Sequence, residues 1–199
     1  MSAYPQGRAG RLWLRRRIGL AEDAAELLQR KLAILRDERD RMRLLASRTE
    51  EQWRRCCAEA DEALLRAALL GGRRVLPLSC GGRLADVTVE YADSMGVSHP
   101  ERVVFEPPAD DAPAPGGIAL APARRACEAA LRAACAHAAA TAAAAILDAE
   151  VRATGQRARA IERRRLPQLR AALAGIEFAL EEREREDGAR LRRSTRERS

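Results

Sequence analysis

Two histidines, five cysteines and a carboxylate-rich run near the C-terminus are the side chains with which this chain could do chemistry. The histidines are His99 and His137. His137 stands two residues from Cys135, and at that spacing on a helix the two side chains point to different faces. Zinc takes three or four ligands, so no metal site is assigned and His137 is read as a helix-surface residue. The cysteines are Cys56, Cys57, Cys80, Cys127 and Cys135; their number is odd, no C-x-x-C occurs, and adjacent Cys56 and Cys57 are poorly placed for an ordinary disulfide. This usage reads as reduced thiols in a cytosolic protein. No Ser-His-Asp or Cys-His set can be assembled. The carboxylates from Glu181 to Asp187 alternate with arginines at helical spacing, which makes a solvated, ion-paired face rather than catalytic acids. The glycine pairs around Cys80 lack the lysine of a G-x-x-x-x-G-K-[ST] phosphate loop. No catalytic residue and no cofactor is assigned, and the chain is expected not to be an enzyme.

With chemistry set aside, periodicity becomes the main signal. Residues 11–70 contain no proline and one glycine, Gly19. A seven-residue period runs through Leu14, Ala21, Leu28, Leu35, Met42, Thr49, Cys56, Ala63 and Leu70. Its companion series is Ile18, Ala25, Leu32, Arg39, Ala46, Trp53, Ala60 and Ala67. Cys56 serves as a small apolar residue, so only Thr49 and Arg39 break the pattern. So long a repeat is a coiled-coil signature. Sixty helical residues would make a rod about 90 Å long. Aromatic residues are 3% of the chain and charged residues 33%, a composition suited to long helices rather than to a globular core.

Gly71-Gly72 stops the first helix, and Gly81-Gly82 marks a turn. Residues 85–91 alternate apolar and polar side chains, which predicts a half-buried strand. Asp93 to Pro100 is read as a turn, Arg102 to Glu106 as a second short strand, and Pro107-Pro108 to Gly116-Gly117 as a proline-rich acidic loop. Helical signals return from about Ala121 to Arg193. Leu166, Leu169, Leu173, Ile176 and Leu180 are spaced 3-4-3-4, and Leu191 continues the stripe. Pro167 lies inside it, so a bend is predicted near Arg163 to Pro167. The expected fold is all-α dominated: a long antiparallel two-helix coiled coil with a small β-hairpin insert. Its parts are residues 1–71, 72–121 and 122–199. Opposed residues are expected to sum to about 205, which sets Leu14 against Leu191, Leu28 near Ile176, and Ala60 to Ala68 against Cys135 to Ala145. Both termini would share one tip, with the hairpin at the other end.

Charge constrains the partners. The net charge is +7, divided into +4 over residues 1–70 (15 basic, 11 acidic), −3 over 71–121 (4 and 7) and +6 over 122–199 (17 and 11). Arginine is interleaved with glutamate, so no clean basic stripe for phosphates forms, and nucleic acid is not an expected partner. The most apolar run, Ala138 to Leu147, is about half of a membrane span, and no secretory signal is evident. Any membrane association is expected to run through partners.

Three ordered segments carry a family resemblance. Leu27-Leu28-x-x-Lys31-x-x-x-Leu35, preceded by Leu12, Leu14, Arg17 and Ala21, resembles the opening helix of the D subunit of V/A-type ATPases. Met95-Gly96-Val97-x-x-Pro100 resembles that family's turn between its two helices. Arg157-x-x-Ala160-Ile161-Glu162 with Leu166-Pro167-x-Leu169 resembles a third stretch, followed in order by Ile176, Leu180, Glu182-Arg183 and Arg190-Leu191-Arg192. Arg159 departs from the family's asparagine, and Asp187-Gly188 replaces bulky apolar residues.

The resemblance implies a central rotor shaft in the cytoplasm, peripheral to the membrane. It couples ATP hydrolysis or synthesis to proton or sodium translocation by rotation. The implied partners are the catalytic A and non-catalytic B subunits of the ring, the F subunit of the rotor, and the funnel subunit (C or d) above the membrane rotor. The coiled-coil interior would comprise Leu14, Ile18, Leu28, Leu32, Leu35, Met42, Leu169, Leu173, Ile176 and Leu180. A partner-binding hairpin would present Val87, Val89, Met95, Gly96, Val97 and Pro100. Arg11, Arg15, Arg190, Arg192 and Arg193 would form the shaft tip inside the ring. The alternatives are a basic coiled-coil adaptor for nucleic acid and the stalk of an export ATPase; such stalks lack the hairpin and its Met-Gly-Val turn.

Overall fold

The computed structural model describes residues 5–72, 76, 84–108 and 120–196. The Gly81-Gly82 turn, Cys80 and most of the proline-rich loop lie outside them. Helix α1 covers Gly7–Gly71, 65 residues. Gly72 follows it at φ +78°, the left-handed residue that closes helices without a Cβ penalty. Strands β1 (Asp86–Ser94) and β2 (Val97–Glu106) form an antiparallel hairpin. Helix α2 (Leu120–Ala160) leads through a π-helical turn, Ile161–Arg165, into α3 (Leu166–Arg196). The fold is thus all-α dominated with one small hairpin.

The hairpin differs in detail from the sequence reading. Its turn is only Met95-Gly96, flanked by the pair Ser94 and Val97, so β2 begins at Val97 rather than at Arg102. Both turn residues have positive φ, 54° and 78°. That geometry matches the strand twist and needs just two residues. The Gly96 amide also donates to Asp93 Oδ1 at 2.9 Å. Pro100, read from the sequence as the end of a turn, pairs with Tyr91 beside a bulge at Glu90 and Tyr91, where the ladder does not need its missing N–H.

Two compact units divide the chain across its helices: Met1–Ala33 with Arg152–Ser199, and Ile34–Val151. In the first unit α1 meets α3 through a ladder of polar pairs. Arg8 reaches Glu184 at 3.4 Å, Arg15 reaches Glu177 at 2.7 Å, and Arg170 reaches Glu22 at 2.7 Å. These rungs lie seven residues apart on both helices, and each pair of numbers totals 192. The next rung is Gln29 donating to Glu162 at 2.8 Å, a total of 191. The extra residue between Arg170 and Glu162 is absorbed by the π turn, where the Leu166 amide donates to the Ile161 carbonyl, five residues back. Proline lacks an N–H, and its ring collides with the carbonyl four residues earlier. A π turn just before Pro167 relieves both problems while the helix continues. Where a bend was predicted, near Pro167, the chain forms a turn with one extra residue, which keeps the Gln29–Glu162 rung in line with the other three.

This register corrects the pairing near 205. Leu191 would face a position ahead of the first residue of α1, and it is 67% exposed, so it does not extend the buried stripe. In the second unit Arg43 and Asp148, at 2.7 Å, also total 191. Thr49 and His137 face each other there, so Cys135 to Ala145 lies opposite the Ala46 to Thr49 region rather than Ala60 to Ala68. The sequence pattern misses this because an apolar stripe can face another apolar stripe in more than one register. Only specific polar partners tell the registers apart.

Candidate functional site

The seam between the helices is the first element of the site. Leu14, Leu35, Leu147 and Leu169 are fully buried, and Leu32, Met42 and Leu166 nearly so. Ile18, Leu28, Leu173, Ile176 and Leu180 are half-buried. Each fully buried leucine contributes about 1.5–3 kcal/mol relative to exposure. The exposed ladder rungs contribute far less, about 0–1 kcal/mol each. Apolar burial therefore holds the helices together, and the rungs select the register.

Both exceptions to the heptad pattern are polar locks. Arg39 donates through Nε to neighbouring Asp40 Oδ1 at 3.0 Å and lies 3.9 Å from Asp148 Oδ1, while Arg43 binds the other Asp148 oxygen at 2.7 Å. Asp148 is 20% exposed, so its removal takes away the 2.7 Å partner of Arg43 and the cross-helix contact of Arg39, which keeps Asp40. Asp148→Ala is expected to cost about 1–3 kcal/mol in a denaturant titration. Glu62→Ala, which removes only an exposed pair with Arg66, is expected to cost under about 0.5 kcal/mol. The second lock involves Thr49. Its hydroxyl lies 3.4 Å from His137 Nδ1, which also lies 3.2 Å from the Ala46 carbonyl oxygen. The His137 ring stacks on Trp53 with centroids 5.5 Å apart and planes 17° apart. His137 is thus a half-buried seam residue, not a surface one. Its own alanine-rich surroundings gave no warning, because its partners lie on α1.

The hairpin is the second element. His99 on β2 is 1% exposed, with Nε2 3.8 Å from Glu38 Oε1 on α1. Glu38 also accepts two hydrogen bonds from Arg41, at 2.5 and 3.0 Å. The hydrogen bond from Arg41 to Glu38 lifts the guanidinium above its ordinary value; burial opposes this, and the charges of Glu38 and Glu101 add to it. At the other end of β2 the Arg132 guanidinium of α2 lies 5.6 Å from the centre of the Phe105 ring. The hairpin is therefore seated beside the middle of α1, well short of Gly71, and not beyond the helix end. Sequence reasoning missed His99, Glu38, Phe105 and Arg132 as anchors. Their only signal was a histidine and an aromatic in an otherwise half-polar strand.

Of the hairpin residues singled out from sequence, Val87, Val89 and Met95 are 49%, 37% and 40% exposed, while Pro100 is buried. Val97 is half-buried and Gly96 exposed at the turn.

The arginines assigned to the tip are not one cluster. Arg15 is held by Glu177, and Arg11 is half-buried with its Nε enclosed and unbonded. Arg190, Arg192 and Arg193 lie on α3 beyond the last rung at Glu184; Arg190 is 4.0 Å from Asp187, and all three are exposed. Near the start of α1, Gly10 allows close approach: a Cβ there would meet the Pro5 carbonyl oxygen at 1.9 Å and Ile176 Cδ1 at 3.1 Å. Among the described residues no group of three metal-binding side chains occurs. What the arrangement offers is mechanical: helices held by an apolar seam and registered by polar rungs, with a hairpin mounted on the side of α1.

The comparison with known families falls on this same architecture. A family model described as the D subunit of ATP synthase matches residues 12–196, which take in both helices and the hairpin. No curated protein matches the chain.

Proposed function

Since the chain belongs to the ATP synthase D-subunit family, and so is a component of a rotary ATPase complex, we propose that it is the central rotor shaft of a V/A-type ATPase or ATP synthase. In this reading it carries no catalytic site. It couples ATP hydrolysis or synthesis in a ring of A and B subunits to proton or sodium translocation, peripheral to the membrane on the cytoplasmic side. The rotor's F subunit and the funnel subunit would bind it away from the ring. The family match across residues 12–196 carries this reading.

The helix pair supports it physically. Torque on a shaft tends to slide or unwind one helix past the other. A buried leucine seam opposes separation, and ladder rungs every seven residues oppose sliding. Charges already paired within the shaft present a shallow, screened surface to a collar. The exposed Arg190, Arg192 and Arg193 would meet acidic loops of the ring.

The test is purification of the tagged chain from its own cells. Catalytic A- and B-type subunits are expected to accompany it at fixed stoichiometry; their absence removes the reading. Within that complex, replacing Arg190, Arg192 and Arg193 by glutamine is expected to lower the ions moved per ATP. An unchanged ratio would remove the role assigned to these arginines and leave the shaft intact.

A further inference from the structure

We propose that the buried contact between His99 of β2 and Glu38 of α1 is a proton-operated latch. It holds the hairpin on α1 while the imidazole carries its second proton and loosens when that proton leaves.

The ring is 1% exposed, so water does not satisfy it. Both of its nitrogens face oxygen atoms. Nδ1 lies 3.3 Å from the carbonyl oxygen of Pro100, and Nε2 lies 3.8 Å from Glu38 Oε1. A neutral imidazole has one N–H, whereas the imidazolium has two. Either neutral tautomer therefore turns a lone pair toward an oxygen. Only the doubly protonated ring presents a donor to each. At 3.8 Å the contact with Glu38 is too long for a hydrogen bond, so its attraction depends on the charge of the ring.

The surrounding charges favour the same state. Glu38 is 19% exposed and accepts from Arg41 through both carboxylate oxygens. Glu101 of β2 adds a second carboxylate, whose charge acts on Arg41. With the ring neutral, Glu38, Glu101 and Arg41 leave one negative charge; with the ring protonated, the four groups balance. The other charged groups nearby are already engaged. On α1, Arg39 is held by Asp40 and Asp148. On the hairpin, Arg102 stands opposite Glu90, and Asp93, next to the His99 partner Ala92, accepts the Gly96 amide. Helix α2 brings Arg132 to β2, but at Phe105.

A two-stranded hairpin is marginal alone, and this one is seated on α1 through His99 and on α2 through Phe105. The seated hairpin keeps one proton that the released hairpin gives up to water. The hold is therefore full at acid pH and is lost as the pH rises, by up to about tenfold per pH unit, the limit for a single proton.

The experiment uses the full chain between about pH 5.5 and about pH 8.5, on either side of the ordinary histidine value near 6.5. Nitrogen-15 shifts of the histidine rings report the protonation of His99. Amide hydrogen exchange in β2, corrected for its intrinsic pH dependence, reports the seat. The expected result is two N–H groups on His99 at the acid end. Protection of β2 is then expected to fall at least about fivefold as the ring titrates, while amides of α1 near Leu35 keep theirs. Glu38→Gln, which preserves size and removes the charge, is expected to abolish that pH dependence. A native His99 ring with a single N–H across the whole range overturns the proposal, and this readout requires no variant to fold. A titrating ring with unchanged β2 protection, or an equal pH dependence in Glu38→Gln, overturns it as well.

Discussion

With the five native cysteines replaced by alanine, a chain carrying Arg15→Cys and Glu177→Cys is expected to be joined internally by a short bis-maleimide, and a chain carrying Leu28→Cys and Ile176→Cys is not. The first pair occupies a rung of the ladder, where the native side chains touch at 2.7 Å. The second pair totals 204 rather than the 192 of the rungs, a displacement of about 18 Å along the helix at about 1.5 Å per residue. A short linker cannot span that gap. The readout is electrophoretic mobility after treatment, with mass spectrometry of the linked peptide. Linkage of the second pair in preference to the first would mean that the helices are paired in the register suggested by chain length, and the polar rungs would then have no role in selecting it.

Leu35→Ala is expected to lower the unfolding free energy by about 2–5 kcal/mol, the range for a leucine deleted from a packed core. Leu35 is fully buried, with no exposed surface. Leu44→Ala, on the same helix but 54% exposed, is expected to cost under about 0.5 kcal/mol. The contrast matters because both are leucines in a helix of uniform appearance, and both replacements favour helix by propensity. Equal effects in a denaturant titration would show that helix propensity rather than the seam sustains the pair. A large effect at Leu35 alone places the stability in the interhelical contact, which is what a shaft under torque requires.

The heptad series predicted most of the covered face of α1, since Leu14, Ala25, Leu32, Leu35, Met42, Cys56, Ala60 and Ala67 are buried, but not all of it: Trp53 is 36% and Leu70 79% exposed. The two residues that broke the series, Arg39 and Thr49, were legible as exceptions but not as locks. Their partners, Asp148 and His137, lie about ninety to a hundred and ten residues away. Nothing local in a helix announces a partner at that distance.

The alternation in residues 85–91 announced a strand, and Met95-Gly96 was legible as part of a turn. The length of β2 was not. A proline at position 100 argues against a strand unless a bulge receives it, and a bulge is a property of the pair rather than of either strand.

Local sequence determined the elements of this protein: helix from a seven-residue period, stops from Gly71-Gly72, irregularity from Pro167, strand from alternation. These signals depend on backbone preferences and on solvent, which act within a few residues. Tertiary structure alone decided how far one helix is slid along the other and where the hairpin is seated. A periodic apolar surface has many near-equivalent ways to meet its neighbour, and only pairing between distant polar groups, kept in phase by one extra residue at Ile161–Arg165, removes the degeneracy.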